Sequence, residues 1–118
     1  MAAKDDLGRR GEQVAAEFLE QQGLVVLSRN WRCRHGELDL VATDSAVLVV
    51  CEVKTRSGTG FGEPAEAVTG PKAARIRRVT QAWLAAHRVG WVEIRFDVLA
   101  VLAEPGRPVT VQHYRAAF

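Results

Sequence analysis

The sequence predicts an α/β fold: a mixed β-sheet of about five strands flanked by two main helices, in the order α-β-β-β-α-β-β. Three observations carry that prediction. Stretches 4–22 and 71–87 place apolar residues at helical spacing. Stretch 37–54 reads as two apolar runs separated by Asp44 and Ser45, a polar pair suited to reversing the chain. Stretch 91–114 reads as a second hairpin around a Glu-Pro-Gly-Arg-Pro turn. A chain of 118 residues fits one compact domain, 1–118, and folding at this size buries well over half of the surface that the unfolded chain exposes.

Taken in order, Val14, Ala15, Phe18 and Leu19 form one face of the first helix, and Gly23 ends it. Glu12 stands at the edge of that stripe, where an exposed helical acid is the plainer reading. Residues 24–27, continuing through 28–32, read as a first strand followed by a basic segment that reaches the Gly36 turn. The hairpin strands cover 37–43 and 46–54. Residues 55–70 contain five glycines or prolines and read as a long loop, able to close over a ligand. Pro71 suits a first helical turn, and Ile76, Val79, Thr80, Trp83 and Leu84 form the second apolar stripe, which makes Trp83 a core residue and not a base-stacking platform. Over 91–103, Val92, Ile94, Phe96 and Val98 alternate with Glu93, Arg95, Asp97 and Leu99, and Arg95 and Asp97 share a face on which they can pair. Residues 109–114 supply the last strand.

Composition excludes several classes. Hydrophobic residues at 47% and charged residues at 25% are ordinary for soluble domains and favour neither disorder nor a membrane class. No apolar run approaches the roughly 20 residues that span a bilayer. The first residues lack the apolar core of a secretory signal, so a cytoplasmic location is expected. Net charge is only +2, yet the sixteen basic residues cluster at 9–10, 29–34, 54–56 and 72–78, and local patches of this kind can hold phosphates. The cysteines make no C-x-x-C pattern: Cys51 alternates with Val49 and Val53 as a core residue, and Cys33 with His35 gives too few ligands for zinc.

The central hairpin carries charge where a strand should be apolar. Strand alternation puts Glu37, Asp39 and Val41 on one face, Leu38, Leu40 and Ala42 on the other, and Glu52 and Lys54 together on the next strand. A carboxylate inside an apolar run costs several kcal/mol unless it is paired or binds a metal. Pairing around Asp44 and Ser45 sets position n opposite about 89 minus n, so Asp39 falls near Val50 and diagonal to Glu52, about 7 Å apart. Two carboxylates so placed suit Mg²⁺ or Mn²⁺, and the Lys54 ammonium beside them suits phosphodiester hydrolysis. The plainer reading is a buried Glu52–Lys54 salt bridge with Asp39 at a strand edge.

Gly11-Glu12, Arg29-Asn30, Gly36 to Leu40, Glu52 to Arg56, Gly62, Lys72, Arg95 to Val98 and the closing Ala117-Phe118 together resemble the YraN family of small bacterial proteins, over nearly the whole chain. That family is similar to the PD-(D/E)xK nucleases of restriction-endonuclease-like fold, and looks most like the archaeal Holliday-junction resolvases. The resemblance implies a nuclease in which Asp39, Glu52 and Lys54 are catalytic. It also implies that Asp39 and Glu52 bind the metal, with the Val53 carbonyl as a third ligand and Glu12 as an additional acid. Leu38 stands where many of those nucleases have proline, and Cys51 where the family often has valine.

The sequence thus points to a Mg²⁺- or Mn²⁺-dependent endonuclease acting on DNA, with branched structures among its candidate substrates. Arg9, Arg34, Arg56, Lys72 and Arg75 are the expected phosphate contacts, and Glu37 is a partner standing behind the site acids. A homodimer would supply the two symmetric sites that cutting both strands of a junction requires. The competing reading is a non-catalytic nucleic-acid-binding or interaction module on the same scaffold. A small-molecule metallohydrolase fits poorly with the arginine clusters.

Overall fold

The computed structural model describes the backbone of residues 3–58 and 68–118. Its elements run α1 (Ala3–Gln21), β1 (Val25–Cys33), β2 (Gly36–Thr43), β3 (Val47–Arg56), α2 (Gly70–Ala86), β4 (Glu93–Leu102) and β5 (Thr110–Tyr114). The order is the one expected, and the five strands form one open sheet in the order β1-β2-β3-β4-β5. All neighbours are antiparallel except β3 and β4, which run parallel from Val47 against Glu93 to Arg56 against Leu102. A parallel pair needs a crossover, and α2 supplies it.

The helices cover opposite faces of the sheet. Ala15, Ala16 and Leu19 of α1 pack on Leu40, Ala42, Val49, Cys51, Leu99 and Val101. Ile76, Val79 and Trp83 of α2 pack on Leu38, Val41, Leu48 and Val50. Both apolar stripes therefore do what their spacing predicts. Trp83 is core, and its indole N–H donates to Ser28 Oγ at 2.9 Å. Thr69 caps α2 by accepting from the Lys72 N–H, and Pro71 lies in the first turn, where its missing N–H costs nothing.

Four details differ from the sequence reading. The basic segment at 28–32 is not a separate element, because β1 runs through it to Cys33 and turns back over Arg34 and His35. Trp91 lies outside β4, with 93% of its surface exposed. The third difference is register. Leu40 pairs with Cys51 and Val41 with Val50, so the positions sum to 91 and not 89, and Val50 faces Val41 instead of Asp39. The turn takes up four residues between the paired Thr43 and Leu48. Asp44 Oδ1 accepts from the Ala46 and Val47 N–H groups at 3.0 and 2.9 Å, with Ser45 at φ 82°. A two-residue shift preserves which face each side chain takes.

The fourth difference is the face pattern of β2. Leu38 and Leu40 should share a face, yet Leu38 packs under α2 and Leu40 under α1. The neighbouring strand is irregular at the same level. The β1–β2 ladder pairs Arg29 with Leu40 and Trp31 with Leu38, and between them, level with Asp39, Asn30 takes a left-handed φ of 49°. The reading of 55–70 as a closing loop falls largely on residues 59–67, Gly62 included, which lie outside the described residues.

Candidate functional site

The site forms where β2 and β3 part. Their ladder ends at Leu40 and Cys51; one residue further, Asp39 Oδ2 accepts the Val53 N–H at 2.8 Å. Splaying two strands at this point opens a gap in the sheet, and side chains from both helical layers reach it.

From one side comes Glu12 of α1. A Cβ on Gly11 would fall 2.8 Å from the Cβ of Thr55, so only glycine lets α1 approach β3 this closely, and the approach carries Glu12 to the gap. Carboxylate oxygens of Glu12, Glu37 and Asp39 lie within 4.8 Å of one another, all three half-buried. With its nitrogen turned toward the acids, the Asn30 amide donates to Glu12 at 2.9 and 3.3 Å and to Glu37 at 3.2 Å. Arg32 holds the other oxygen of Glu37.

From the other side comes Lys72, in the first turn of α2. Its Nζ lies 2.8 Å from Glu52 Oε1, and Lys54 Nζ lies 3.6 Å from the same oxygen. A cleft of about 420 Å³ opens here, lined by Arg34, His35, Glu37, Asp39, Glu52, Lys72 and Arg75 among others. The side-chain oxygens among its lining residues are those of Glu37, Asp39 and Glu52.

Burial and like charge perturb two of these acids, Asp39 and Glu12. Burial, then the charge of Glu52, pushes the Asp39 carboxyl up to about 7, against the opposing pull of the Val53 N–H. Burial likewise raises Glu12, and the nearby Glu37 charge adds to it. Burial lowers Lys54, and its contact with Lys72 lowers it further. For Lys72 burial acts downward too, but the hydrogen bond to Glu52, the contact with Lys54 and the charges of Glu52 and Asp39 together outweigh it, so its ammonium is held above the ordinary lysine range.

The structure thus brings Glu12, Glu37, Asp39, Glu52, Lys54, Lys72, Arg34 and Arg75 to one place. Glu37 stands among the converging carboxylates, closer in than a supporting partner, while Glu52 stands outside that trio and engages lysines. Val53 presents its N–H to Asp39, whereas a role for its carbonyl was expected. Arg9 is exposed and pairs with Asp6 at 3.4 Å, and Arg56 sits at the far end of β3; neither lines the cleft. Asn30 was missed as a site residue. Its signal was an asparagine inside a strand pattern, where that residue is depleted unless its turn chemistry is used. The Cys33 thiol borders the cleft, and Cys51 is core, 1% exposed.

Over residues 11–101 the chain matches the model of the Uncharacterised protein family UPF0102. It is similar to a UPF0102 protein of Frankia alni, 59% identical over 118 residues covering 100% of this chain and 98% of the relative. A UPF0102 protein of Nocardia farcinica is 51% identical over 115 residues, covering 98% and 91%. Another, of Acidothermus cellulolyticus, is 49% identical over 127 residues, covering 99% and 96%. YraN and UPF0102 denote one family. With the family model matching residues 11–101 and relatives matching nearly the whole chain at such identity, the chain belongs to the UPF0102 family.

Proposed function

We propose that this protein is a divalent-metal-dependent nuclease of the PD-(D/E)xK, restriction-endonuclease-like type, hydrolysing phosphodiester bonds in DNA in the cytoplasm. The observation that carries the reading is Asp39: a half-buried carboxyl that forms no ion pair with any cation among the described residues, raised to about 7 by burial and by neighbouring acids. A fold does not retain such a group for stability. A cation would relieve the repulsion among Asp39, Glu12 and Glu37, and an all-oxygen donor set suits Mg²⁺ or Mn²⁺ and not zinc.

A cation bound there supplies Lewis acidity toward a phosphate oxygen. The protein's own groups do the rest. Asp39 is held in place by the Val53 N–H, and Glu12 by Asn30. Lys54 projects its ammonium beside Glu52, where it stabilises the negative charge that builds up on the reacting phosphate. Arg34 and Arg75, on the cleft rim, orient the flanking phosphates, and Arg9 and Arg56 extend the basic surface beyond it.

The test is cleavage of labelled duplex, single-stranded, flapped and four-way-junction DNA with Mg²⁺ or Mn²⁺, comparing wild type with Asp39→Ala and Lys54→Ala. Both substitutions should reduce metal-dependent cutting by about 10²-fold or more. Salt-sensitive binding without cutting by any version would instead establish the non-catalytic binding module.

A further inference from the structure

Two lysines share one oxygen of Glu52, and they differ in where they come from. Lys54 is two residues along the same strand, 3.6 Å away; Lys72 reaches across from another element and closes to 2.8 Å. Nothing in the helix favours an ammonium at that spot. Lys72 lies in the first turn of α2, where the helix dipole disfavours a cation, and that turn contains no acidic residue. It also stands beside the second ammonium. What holds it is Glu52, an acid 12% exposed that lines the same cleft as Asp39.

We infer that Lys72 is an exchangeable counter-ion: it occupies Glu52 in the metal-free chain, yields that carboxylate to a divalent cation, and then binds a phosphate of the nucleic-acid strand lying in the cleft. This inference rests on the proposed function and adds a coupling to it. Neutralising Glu52 with a metal frees the ammonium, so metal and phosphate binding reinforce each other through one side chain. Lys72 borders the cleft beside Arg75 and Arg34, so a short swing of a four-carbon side chain carries its charge to the anion those guanidiniums face.

Two measurements on the full chain test this. In the first, Mn²⁺ is titrated without nucleic acid. Lys72→Met should bind it about tenfold more tightly than wild type, because the competing ion is gone, while Lys54→Met should change affinity less than about threefold. Equal tightening in both variants would reduce the effect to general charge and overturn the exchange. No Mn²⁺ binding by any version would overturn it together with the metal reading.

In the second, binding of a labelled DNA duplex is followed by fluorescence anisotropy in EDTA and in Ca²⁺, with the label's integrity checked on a gel. Lys72→Met should weaken binding about tenfold in Ca²⁺ and less than about twofold in EDTA. Equal weakening in both buffers would make Lys72 an ordinary phosphate contact, and no weakening in either would make it structural; each overturns the exchange. If wild type binds no DNA in either buffer, the proposed substrate fails and the phosphate half of this inference fails with it, while the Mn²⁺ titration still decides the ion exchange. Glu52→Gln provides a control that folds around the same shape: it should release Lys72 without metal and bind DNA in EDTA more tightly than wild type does.

Discussion

Asp97 and Asp39 are aspartates on strands of the same sheet, and they are treated in opposite ways. Asp97 is 0% exposed and fully satisfied. Arg95 grips it through Nε at 2.9 and 3.2 Å and through a terminal nitrogen at 2.9 Å, His113 Nε2 lies 2.6 Å away, and the Ala116 N–H donates at 2.9 Å. Burial alone would raise its pKa, but Arg95, the Ala116 N–H and His113 outweigh burial and hold it below the usual carboxylate range. Asp39 is more accessible, yet its one hydrogen bond from the protein among the described residues is the Val53 N–H, and three acids surround it. A buried charge that is fully paired is structure. A charge left with repulsive neighbours at the mouth of a cleft is held for a ligand.

The largest effect expected from this contrast is on Asp97. Its carboxylate ties β4 to β5 through His113 and to the C-terminal residues through Ala116, so Asp97→Ala removes one acceptor from three donors at once. The loss should be about 3 to 5 kcal/mol of unfolding free energy in urea titrations. A loss below about 1 kcal/mol would place the network among inconsequential surface pairs and erase the comparison.

The second prediction turns on sign. A lowered carboxyl, such as Asp97, stabilises the fold above its unfolded pKa near 3.8, and that contribution is lost as pH falls through the lower folded value. A raised one does the reverse. Asp39 binds its proton more tightly folded than unfolded, so its cost to stability grows as pH rises from about 4 to about 7 and stays constant above that. In metal-free buffer Asp39→Asn should therefore stabilise the chain by about 1 to 3 kcal/mol at pH 8 and by almost nothing at pH 4. Denaturation curves at the two pH values decide it. A variant that is destabilised at pH 8 would show that Asp39 is structural after all.

Much of this contrast was legible before the fold was known. The helices and strands follow from apolar spacing, and Asp39, Glu52 and Lys54 stand out as charges inside apolar runs. The pairing of Arg95 with Asp97 also follows from alternation. What periodicity could not supply was set by single side chains. The hairpin register depends on Asp44 accepting from two backbone N–H groups, which lengthens the turn without changing its composition. The break in alternation lies level with a left-handed backbone angle at Asn30 on the neighbouring strand, which composition does not announce. The hold of Lys72 on Glu52 joins residues twenty positions apart through the packing of α2 on the sheet, and no local pattern reports a contact of that kind.

Asn30 provides the smallest and most selective test, because it does two separable things. Its left-handed backbone breaks the strand pattern, and its amide donates to Glu12 and Glu37. Asn30→Gly keeps the first and deletes the second, since glycine accepts a positive φ without strain. At pH 4, where the raised Glu12 carboxyl holds its proton, the change should be within about 0.5 kcal/mol of wild type. At pH 8 the Glu12 carboxylate stands beside Glu37 without the Asn30 donor that opposes its raised pKa, so that pKa, already raised by burial, rises further. The sign follows as it did for Asp39: a raised acid costs stability above its folded pKa, so the variant should lose about 1 kcal/mol more at pH 8 than at pH 4. Equal losses at both pH values would assign Asn30 to the backbone alone. A pH-dependent loss that saturating Mn²⁺ abolishes would show that a cation can do for these acids what the amide does, a substitution that the saturated network around Asp97 leaves no room for.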